Sequence, residues 1–184
     1  ELFDRLDATP STNAKVTAMA EYFRHVPPAD GAWAVYFLSG RRLKRLVGPS
    51  AMRQWLTDAT GLPAWLVEET YQHVGDLAET IALTVPAVDA DPSKDSEGLP
   101  GLAEWVEDEL LVLAELDEPR RAERVIHWWR RLPPRECFLV NKLMTGSLRV
   151  GVSQTLVARA LAQVTDLPRA VIAHRLMGDW RPEA

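Results

Sequence analysis

An all-α, multi-helix fold is predicted for this chain by three features of its sequence. Apolar residues recur at the three-and-four spacing of amphipathic helices through most of the 184 residues. No stretch alternates cleanly between apolar and polar residues, as a half-buried strand would. Prolines and glycines fall where the periodic runs begin and end, which is typical of helix boundaries.

Five helices are predicted in the first half of the chain. Ser11 or Thr12 caps the first, which ends before Pro27. Asp30 is predicted to cap a short apolar helix over residues 33–38. The remaining three begin at Pro49, Pro63 and Asp76 and end at Gly61, Gly75 and Pro86.

Residues 87–101 are rich in Asp, Pro, Ser and Gly and are predicted to form an internal linker. This linker divides the chain into two helical lobes, at about 1–86 and 102–180. The second lobe is predicted to contain a helix over 102–116, a basic helix from Pro119 to Pro133, an apolar helix over 135–145, a helix capped by Ser153, and a last helix from Pro168 to Gly178.

Composition limits the class of protein. A hydrophobic content of 47% is enough for a core, and no apolar run reaches the roughly 18 residues of a membrane span. No signal segment opens the chain, and because it starts at Glu1 we expect it to lie within a longer product. The single cysteine, Cys137, excludes an internal disulfide and favours a reducing cytoplasm.

Charge is distributed unevenly along the chain. Residues 1–63 carry eight basic and six acidic side chains, residues 64–118 one basic and fifteen acidic, and residues 119–184 twelve basic and five acidic. The net charge of -5 alone argues against a nucleic-acid binder. For binding to a polyanion, the charge of the local surface matters more than the net charge, because exposed charges are screened beyond ~8 Å at physiological salt. The pattern predicts one basic and one acidic face, although the acidic helices are equally consistent with plain solvated surface.

The most informative stretch is residues 141–153. It combines a predicted helix end, a loop with two glycines and a new helix start. Its charges, Lys142 and Arg149, are both positive, and no acid lies between Glu136 and Asp166. Exposed N–H groups at a helix start are a natural seat for a phosphate. The stretch therefore predicts close contact with a nucleic-acid backbone.

Three segments resemble one known family. Residues 142–153 (KLMTGSLRVGVS) resemble the K-L-x-x-G-x-L-R-x-G-[VL] signature in the N-terminal DNA-binding domain of ATP-dependent DNA ligases. Residues 38–45 (LSGRRLKR) resemble the first basic loop of that domain, and residues 75–80 (GDLAET) resemble its G-D-[LV] turn. The three occur in order, the resemblance covers nearly the whole chain, and the bacterial ligases of this group resemble it most.

The resemblance implies an all-helical domain that clamps duplex DNA, preferably nicked, through the minor groove and flanking phosphates. Phosphate and sugar contacts carry no base code, which suits an enzyme that acts on any sequence. The parent enzymes act in DNA repair, replication and recombination, and they use ATP and Mg²⁺ in a catalytic domain of the same polypeptide. We expect the two basic turns to lie together in space. The DNA contacts predicted are Ser39, Gly40, Arg41, Arg42, Lys44, Gly75, Lys142, Thr145, Gly146, Ser147, Arg149, Gly151 and Ser153.

Residues for ligation itself are absent from the sequence. Ligases take up AMP on the lysine of a K-x-D-G motif, and none of the four lysines stands in that context. No Walker-type loop, H-E-x-x-H or C-x-x-C motif occurs, and the four histidines are scattered. We therefore expect no catalytic residue, metal site or cofactor here, and no activity from this chain alone. Cys137 is predicted to be buried and inert.

Two groups of residues have two interpretations each. The arginines of the basic helix either contact DNA or pair with the acidic residues of 104–118, and we expect pairing for most of them. Trp180 either covers the last helix or contacts a domain outside this chain. The other tryptophans lie in apolar-periodic helices and are predicted to be core residues: Trp33, Trp55, Trp65, Trp105, Trp128 and Trp129.

Two other functions compete with DNA binding. A helical protein-interaction module would dock a partner, or the rest of its own enzyme, through the acidic helices of 64–118. A small hydrolase is the weakest alternative, because no nucleophile and base stand at a recognisable spacing.

Overall fold

The described part of the chain is helical throughout. A computed structural model describes residues 1–85 and 100–182, and within these ranges it contains helices and no strand, which confirms the all-α prediction. No helix in these ranges is long and apolar enough to cross a bilayer. Most of the predicted linker, 87–101, lies outside the described residues.

Most helices begin and end within a residue or two of their predicted boundaries. Ser11 caps α2 by accepting a hydrogen bond from the Ala14 N–H, and left-handed Gly61 and Gly75 follow the ends of α4 and α5. The helices are α1 (Leu2–Asp7), α2 (Thr12–His25), α3 (Pro28–Leu38), α4 (Pro49–Thr60), α5 (Ala64–Val74), α6 (Leu77–Thr84), α7 (Leu102–Glu104), α8 (Glu118–Arg131), α9 (Pro134–Thr145), α10 (Gln154–Ala162) and α11 (Arg169–Met177).

Two predicted elements differ from the structure. Asp30 does not cap α3, which starts after Pro27; its carboxylate instead accepts a hydrogen bond from the Ala103 N–H at 2.8 Å. The predicted helix over 102–116 is not one α-helix. After α7 it continues as a π-helix over Trp105–Leu110 and a 3₁₀-helix over Leu111–Ala114, because apolar periodicity does not distinguish helices of slightly different winding.

The chain forms two compact units. Unit 1 contains Glu1–Arg42, Gly101–Glu104 and Arg149–Ala184, and unit 2 contains Leu43–Pro100 and Trp105–Leu148. Each unit therefore contains chain from both sides of the predicted linker, which differs from the sequential lobes that the sequence predicts.

Unit 1 is organised around α10, which packs against α2, α3 and α11, while α1 packs on α2. Its core includes the fully buried Leu6, Met19 and Trp33. Lys15 lies on the same buried stripe of α2 and is only 8% exposed. Because residues three and four apart share a helix face, Lys15 lies in line with Met19 on the apolar side.

In unit 2, α6 packs against α9, and α4 packs against α5, α6 and α8. Trp129 and Asn141 are both buried, and the Trp129 indole N–H donates to the Asn141 side-chain oxygen at 2.8 Å. This bond satisfies two buried polar groups and attaches the last turn of α8 to α9.

Of the six tryptophans predicted to be core residues, four are confirmed. Trp33, Trp55, Trp128 and Trp129 are core residues, and Trp105 is partly buried. Trp65 was predicted to be core and this is wrong, because it is 70% exposed at the start of α5. The inward face of α5 is instead marked by Val67, which is 3% exposed.

Candidate nucleic-acid interface

Two predicted basic segments cross from one unit to the other: the first loop, residues 38–45, and the second loop, within the signature of residues 142–153. The boundary falls between Arg42 and Leu43 in the first loop and between Leu148 and Arg149 in the second. Each unit therefore holds one half of each loop.

In unit 2 the second loop begins with a glycine-ended helix. Gly146 takes a left-handed conformation (φ 68°) and ends α9, and the Ser147 N–H donates to the Lys142 carbonyl at 2.9 Å. The hydroxyls of Thr145 and Ser147 lie 2.7 Å apart. Ser147 is exposed and Thr145 is half-buried, so the turn presents a short hydroxyl and a glycine at the surface of the unit.

Lys142 does not extend into solvent as the sequence suggests. Its ammonium forms an ion pair with Asp76 and lies 5.2 Å from the centre of the Phe138 ring, and the side chain is only 15% exposed. Asp76 also caps α6 by accepting from the Ala78 N–H at 2.9 Å and the Glu79 N–H at 3.2 Å. The predicted G-D turn and the predicted signature are thus joined side chain to side chain.

The charge state of Asp76 reflects these contacts. Burial alone would raise the pKa of Asp76, but the hydrogen bond from Lys142, the two capping N–H groups and the charge of Lys142 together hold it below its ordinary value. Asp76 is therefore ionised at neutral pH and serves as the counter-ion of Lys142. Gly75, predicted as a DNA contact, precedes it as the left-handed residue that ends α5.

The two loops also meet directly inside unit 2. The Leu46 N–H donates to the Met144 carbonyl at 3.2 Å, so the end of the first basic loop lies against the end of α9. Lys44 and Arg45, just before Leu46, are exposed. Within this unit, the backbone that follows these two cations is therefore hydrogen-bonded to the last turn of α9.

In unit 1 the second loop is hydrogen-bonded to Lys15, a residue that the sequence did not single out. Its ammonium donates to the carbonyls of Val150 at 2.6 Å and Gly151 at 3.3 Å. Gly151 is exposed with φ 60°, and Arg149 is exposed beside it. The available signal was the position of Lys15 on the apolar stripe of α2, where a charge needs a specific partner.

The start of α10 completes this half of the loop. Ser153 occupies the predicted N-cap position, but its side chain makes no capping hydrogen bond. The hydroxyl is therefore exposed and unused within the described residues. The first N–H groups of a helix have no partner inside it, so donors are left at the surface here.

The first loop has a different role at Arg41. Its guanidinium donates to the carbonyls of Leu176 (3.1 Å) and Gly178 and lies 5.1 Å from the Trp180 ring centre. Trp180 in turn donates to the Leu176 carbonyl at 3.4 Å, so it covers the end of α11. Arg41, predicted to contact DNA, is thus occupied by its own chain, whereas the next residue, Arg42, is exposed.

The other two predicted residues of this loop present little to an external partner except backbone. Gly40 is exposed with φ 85°. The Ser39 hydroxyl is enclosed and has no hydrogen-bond partner among the described residues. A hydroxyl buried in this way is not positioned to reach a phosphate.

The arginines of α8 are divided between internal and external roles. Arg124 pairs with Glu109 at 2.8 Å, and Arg121 donates to the carbonyls of Leu113 and Leu116. Arg120 is exposed, along a cavity of about 680 Å³ beside α8. Pairing with the acidic stretch is thus seen for Arg124, and Arg121 binds backbone of the same stretch rather than an acid.

Comparison with known proteins identifies the family. Residues 1–162 match the family described as the DNA ligase N terminus. The chain belongs to this family. Similar proteins include the DNA ligase of Thermococcus fumicolans, 23% identical over 191 residues, and the DNA ligase of Methanopyrus kandleri, 25% identical over 191 residues. Each alignment covers 97% of this chain and 34% of the relative, so the chain spans about a third of the length of these curated relatives.

The family match includes every predicted DNA contact, from Ser39 to Ser153. Both relatives are archaeal, so the resemblance to bacterial ligases in particular stays a prediction. Within residues 1–85 and 100–182, no three His, Cys, Asp or Glu side chains are grouped so that they would hold a metal ion. Cys137 is buried, as predicted, and burial raises the pKa of its thiol to about 12 despite the hydrogen bond from Asn141.

Proposed function

We propose that this chain is the DNA-binding domain of an ATP-dependent DNA ligase and holds nicked duplex DNA without reading its sequence. The observation that carries the proposal is the structure of residues 142–153, the end of α9 and the loop that follows it. Its carbonyls and one of its cations are bound internally by Lys15, Leu46 and Asp76. What remains exposed is Arg149, a serine hydroxyl on each side of it, and backbone at Gly151.

These exposed groups suit a phosphate rather than a base. Arginine, hydroxyls and backbone N–H groups are the donors that proteins use on phosphate oxygens, and such contacts carry no sequence information. Arg42, Lys44 and Arg45 add three exposed cations from the first loop. Among the described residues none of these three side chains forms an ion pair, so their charges are not neutralised by neighbouring acids.

The context of the parent enzyme supports the nick as substrate. The two relatives are DNA ligases about three times as long as this chain. The K-x-D-G lysine that takes up AMP is absent from this sequence. ATP and Mg²⁺ therefore belong to a catalytic domain of the same polypeptide, and this chain supplies DNA affinity rather than chemistry. Repair, replication and recombination in a bacterial cytoplasm are the processes in which we place it.

Tethering gives a weak domain a large effect. A domain of net charge -5 has modest affinity for DNA alone. Once it is bound, a catalytic domain linked to it meets the same DNA at a high effective concentration. The domain thus acts as one arm of a clamp.

The proposal is tested by fluorescence anisotropy of the 184-residue chain on labelled nicked and intact duplexes of two unrelated sequences, at low and physiological salt. We expect affinity that is independent of sequence, is higher for the nicked duplex and falls as salt rises, by roughly 0.9 log units per phosphate contact for each log unit of salt. Binding that is absent at low salt, or that is confined to one sequence, would contradict the proposal.

A protein-docking role for the acidic region is the second candidate, and exposed apolar side chains favour it. Trp65 and Leu83 are 70% and 69% exposed in the acidic part of the chain. Aromatic residues at the surface are common anchors of protein interfaces. If this face docks the catalytic domain, Trp65→Ala should weaken nick sealing by the full-length enzyme while leaving the DNA affinity of this chain unchanged.

A further inference from the structure

We infer that Lys15, on a helix outside all three motifs, is a positioning residue that fixes the DNA-contacting shape of the 149–153 turn. The inference rests on the proposed function. Lys15 is 8% exposed, and its ammonium donates to the Val150 carbonyl at 2.6 Å and to the Gly151 carbonyl at 3.3 Å. Two successive carbonyls of the turn are thus held by one buried cation.

The direction of these carbonyls determines the direction of two N–H groups. A trans peptide is planar, and its N–H points opposite to its C=O. The described chain contains no cis peptide. Because the carbonyls of Val150 and Gly151 point toward Lys15, the N–H groups of Gly151 and Val152 point away from it. Gly151 is exposed and Val152 is half-buried.

These two N–H groups are available to a ligand. Among the described residues, neither donates to a backbone or side-chain acceptor. They lead directly into the first turn of α10, where the Ser153 side chain makes no capping bond. Successive free N–H groups around a left-handed residue form a concave donor set that binds anions, and a helix start adds to it. The ligand class is a phosphodiester oxygen of duplex DNA.

Lys15 also supplies charge. No carboxylate among the described residues forms an ion pair with it. A buried cation without a counter-ion is costly, and the two carbonyls compensate it only in part. A phosphate bound at the outer side of the turn would bring the missing negative charge close. Lys15 therefore favours binding both by orienting the N–H groups and by its field.

The glycine of the turn matches this arrangement. A Cβ built on Gly151 would lie 2.9 Å from the Lys15 ammonium, and φ 60° is a conformation that other residues rarely adopt. A side chain at position 151 would therefore displace either the ammonium or the backbone that it holds. Lys15 and Gly151 form one unit, which makes Gly151→Ala an independent test from the loop side.

The test compares Lys15→Met with Val16→Ala in the 184-residue chain. Methionine keeps most of the apolar stem but cannot donate. Val16 is 1% exposed on the same helix, and a valine side chain cannot donate to the carbonyls of the turn, so Val16→Ala controls for lost stability. Duplex affinity is measured by anisotropy under conditions where thermal melts show both variants folded. In parallel, the Gly151 and Val152 amide resonances of the unsubstituted chain are followed by NMR during DNA addition.

We expect Lys15→Met and Gly151→Ala each to weaken binding about tenfold on nicked and intact duplex alike, with Val16→Ala within about twofold of the unsubstituted chain. We expect both amide resonances to shift on DNA addition. Unchanged affinity in Lys15→Met overturns the inference, as does an equal loss in Val16→Ala or an absence of amide shifts. If Lys15→Met does not fold, Gly151→Ala and the NMR titration decide. Failure of the unsubstituted chain to bind DNA would instead defeat the proposed function.

Discussion

The Lys142 ammonium is ion-paired with the Asp76 carboxylate, and this contact joins the end of α9 to the start of α6. Both residues belong to motifs that the sequence assigned to DNA contact. Their pairing means that the lysine of one motif binds the aspartate of the other and is itself only 15% exposed. The exposed polar residues of this stretch lie further along the chain, from Ser147 to Ser153.

The ion pair should contribute to stability separately from the helix cap. Asn caps helices about as well as Asp but carries no charge, so Asp76→Asn removes the pair and keeps the cap. We expect Asp76→Asn to lower the free energy of unfolding by about 1 kcal/mol, as for a partly buried pair. Asp76→Ala should cost about 1 kcal/mol more through the lost cap. Urea unfolding of both variants measures these free energies. Equal stability of Asp76→Asn and Asp76→Ala would show that the ion pair and the helix cap do not contribute separately.

The contribution of Asp76 should depend on pH. Its pKa in the folded chain lies below its unfolded value, so the stabilisation is fully present above the unfolded pKa of about 4 and is lost as pH falls through the folded pKa. The difference in unfolding free energy between the unsubstituted chain and Asp76→Asn should therefore be constant from pH 7 to about pH 5 and shrink toward pH 3. Urea titrations at each pH provide the measurement. A difference that grows in acid would reverse the sign and refute the account.

Adjacent arginines of the first loop should behave oppositely. Arg41 binds the end of α11, whereas Arg42 is exposed. We expect Arg41→Ala to lower the melting temperature through the loss of hydrogen bonds worth about 1–2 kcal/mol, with little effect on DNA affinity beyond the lost charge. Arg42→Ala should leave the melt unchanged and weaken DNA binding. Each variant is the other's control. Equal changes in melting temperature and in DNA affinity for the two variants would contradict the different roles assigned to Arg41 and Arg42.

Cys137 should be chemically silent in the folded chain. Burial raises the pKa of its thiol to about 12, so almost no thiolate exists at neutral pH. We expect no reaction with a disulfide reagent in native buffer and one equivalent of reaction in urea. Rapid modification of the native chain would show that this part of unit 2 opens readily.

Much of the fold was predictable because its signals are local. Ser11, Gly61 and Asp76 mark helix ends through their own capping chemistry, which depends on neighbouring residues only. Asp30 was misassigned because Asx residues also satisfy distant donors, here the Ala103 N–H. Trp65 was misassigned because a periodic apolar pattern does not show which face of a short helix meets the core.

The candidate site was less predictable, because its supporting contacts join distant parts of the chain. The sequence predicted a helix end, a loop and a helix start over 141–153 and expected Lys142 to contact DNA, whereas the structure pairs Lys142 with Asp76, 66 residues away. Lys15 was missed altogether, because its partners are carbonyls of residues 150 and 151, which any sequence supplies. The charge pattern shows where the arginines lie in the sequence. It does not show that the Arg41 guanidinium is hydrogen-bonded within the chain whereas Arg149 is exposed.

The most direct test of DNA binding through the 149–153 turn is the salt dependence of duplex affinity in Arg149→Ala. Arg120→Ala serves as the charge-matched control, since Arg120 is an exposed arginine on α8 outside both loops. We predict that Arg149→Ala weakens binding about tenfold (~1.4 kcal/mol) on every sequence tested and lowers the log–log salt slope by about 0.9, whereas Arg120→Ala changes affinity by less than about twofold. Equal losses in the two variants would mean that overall charge, and not this turn, determines DNA affinity.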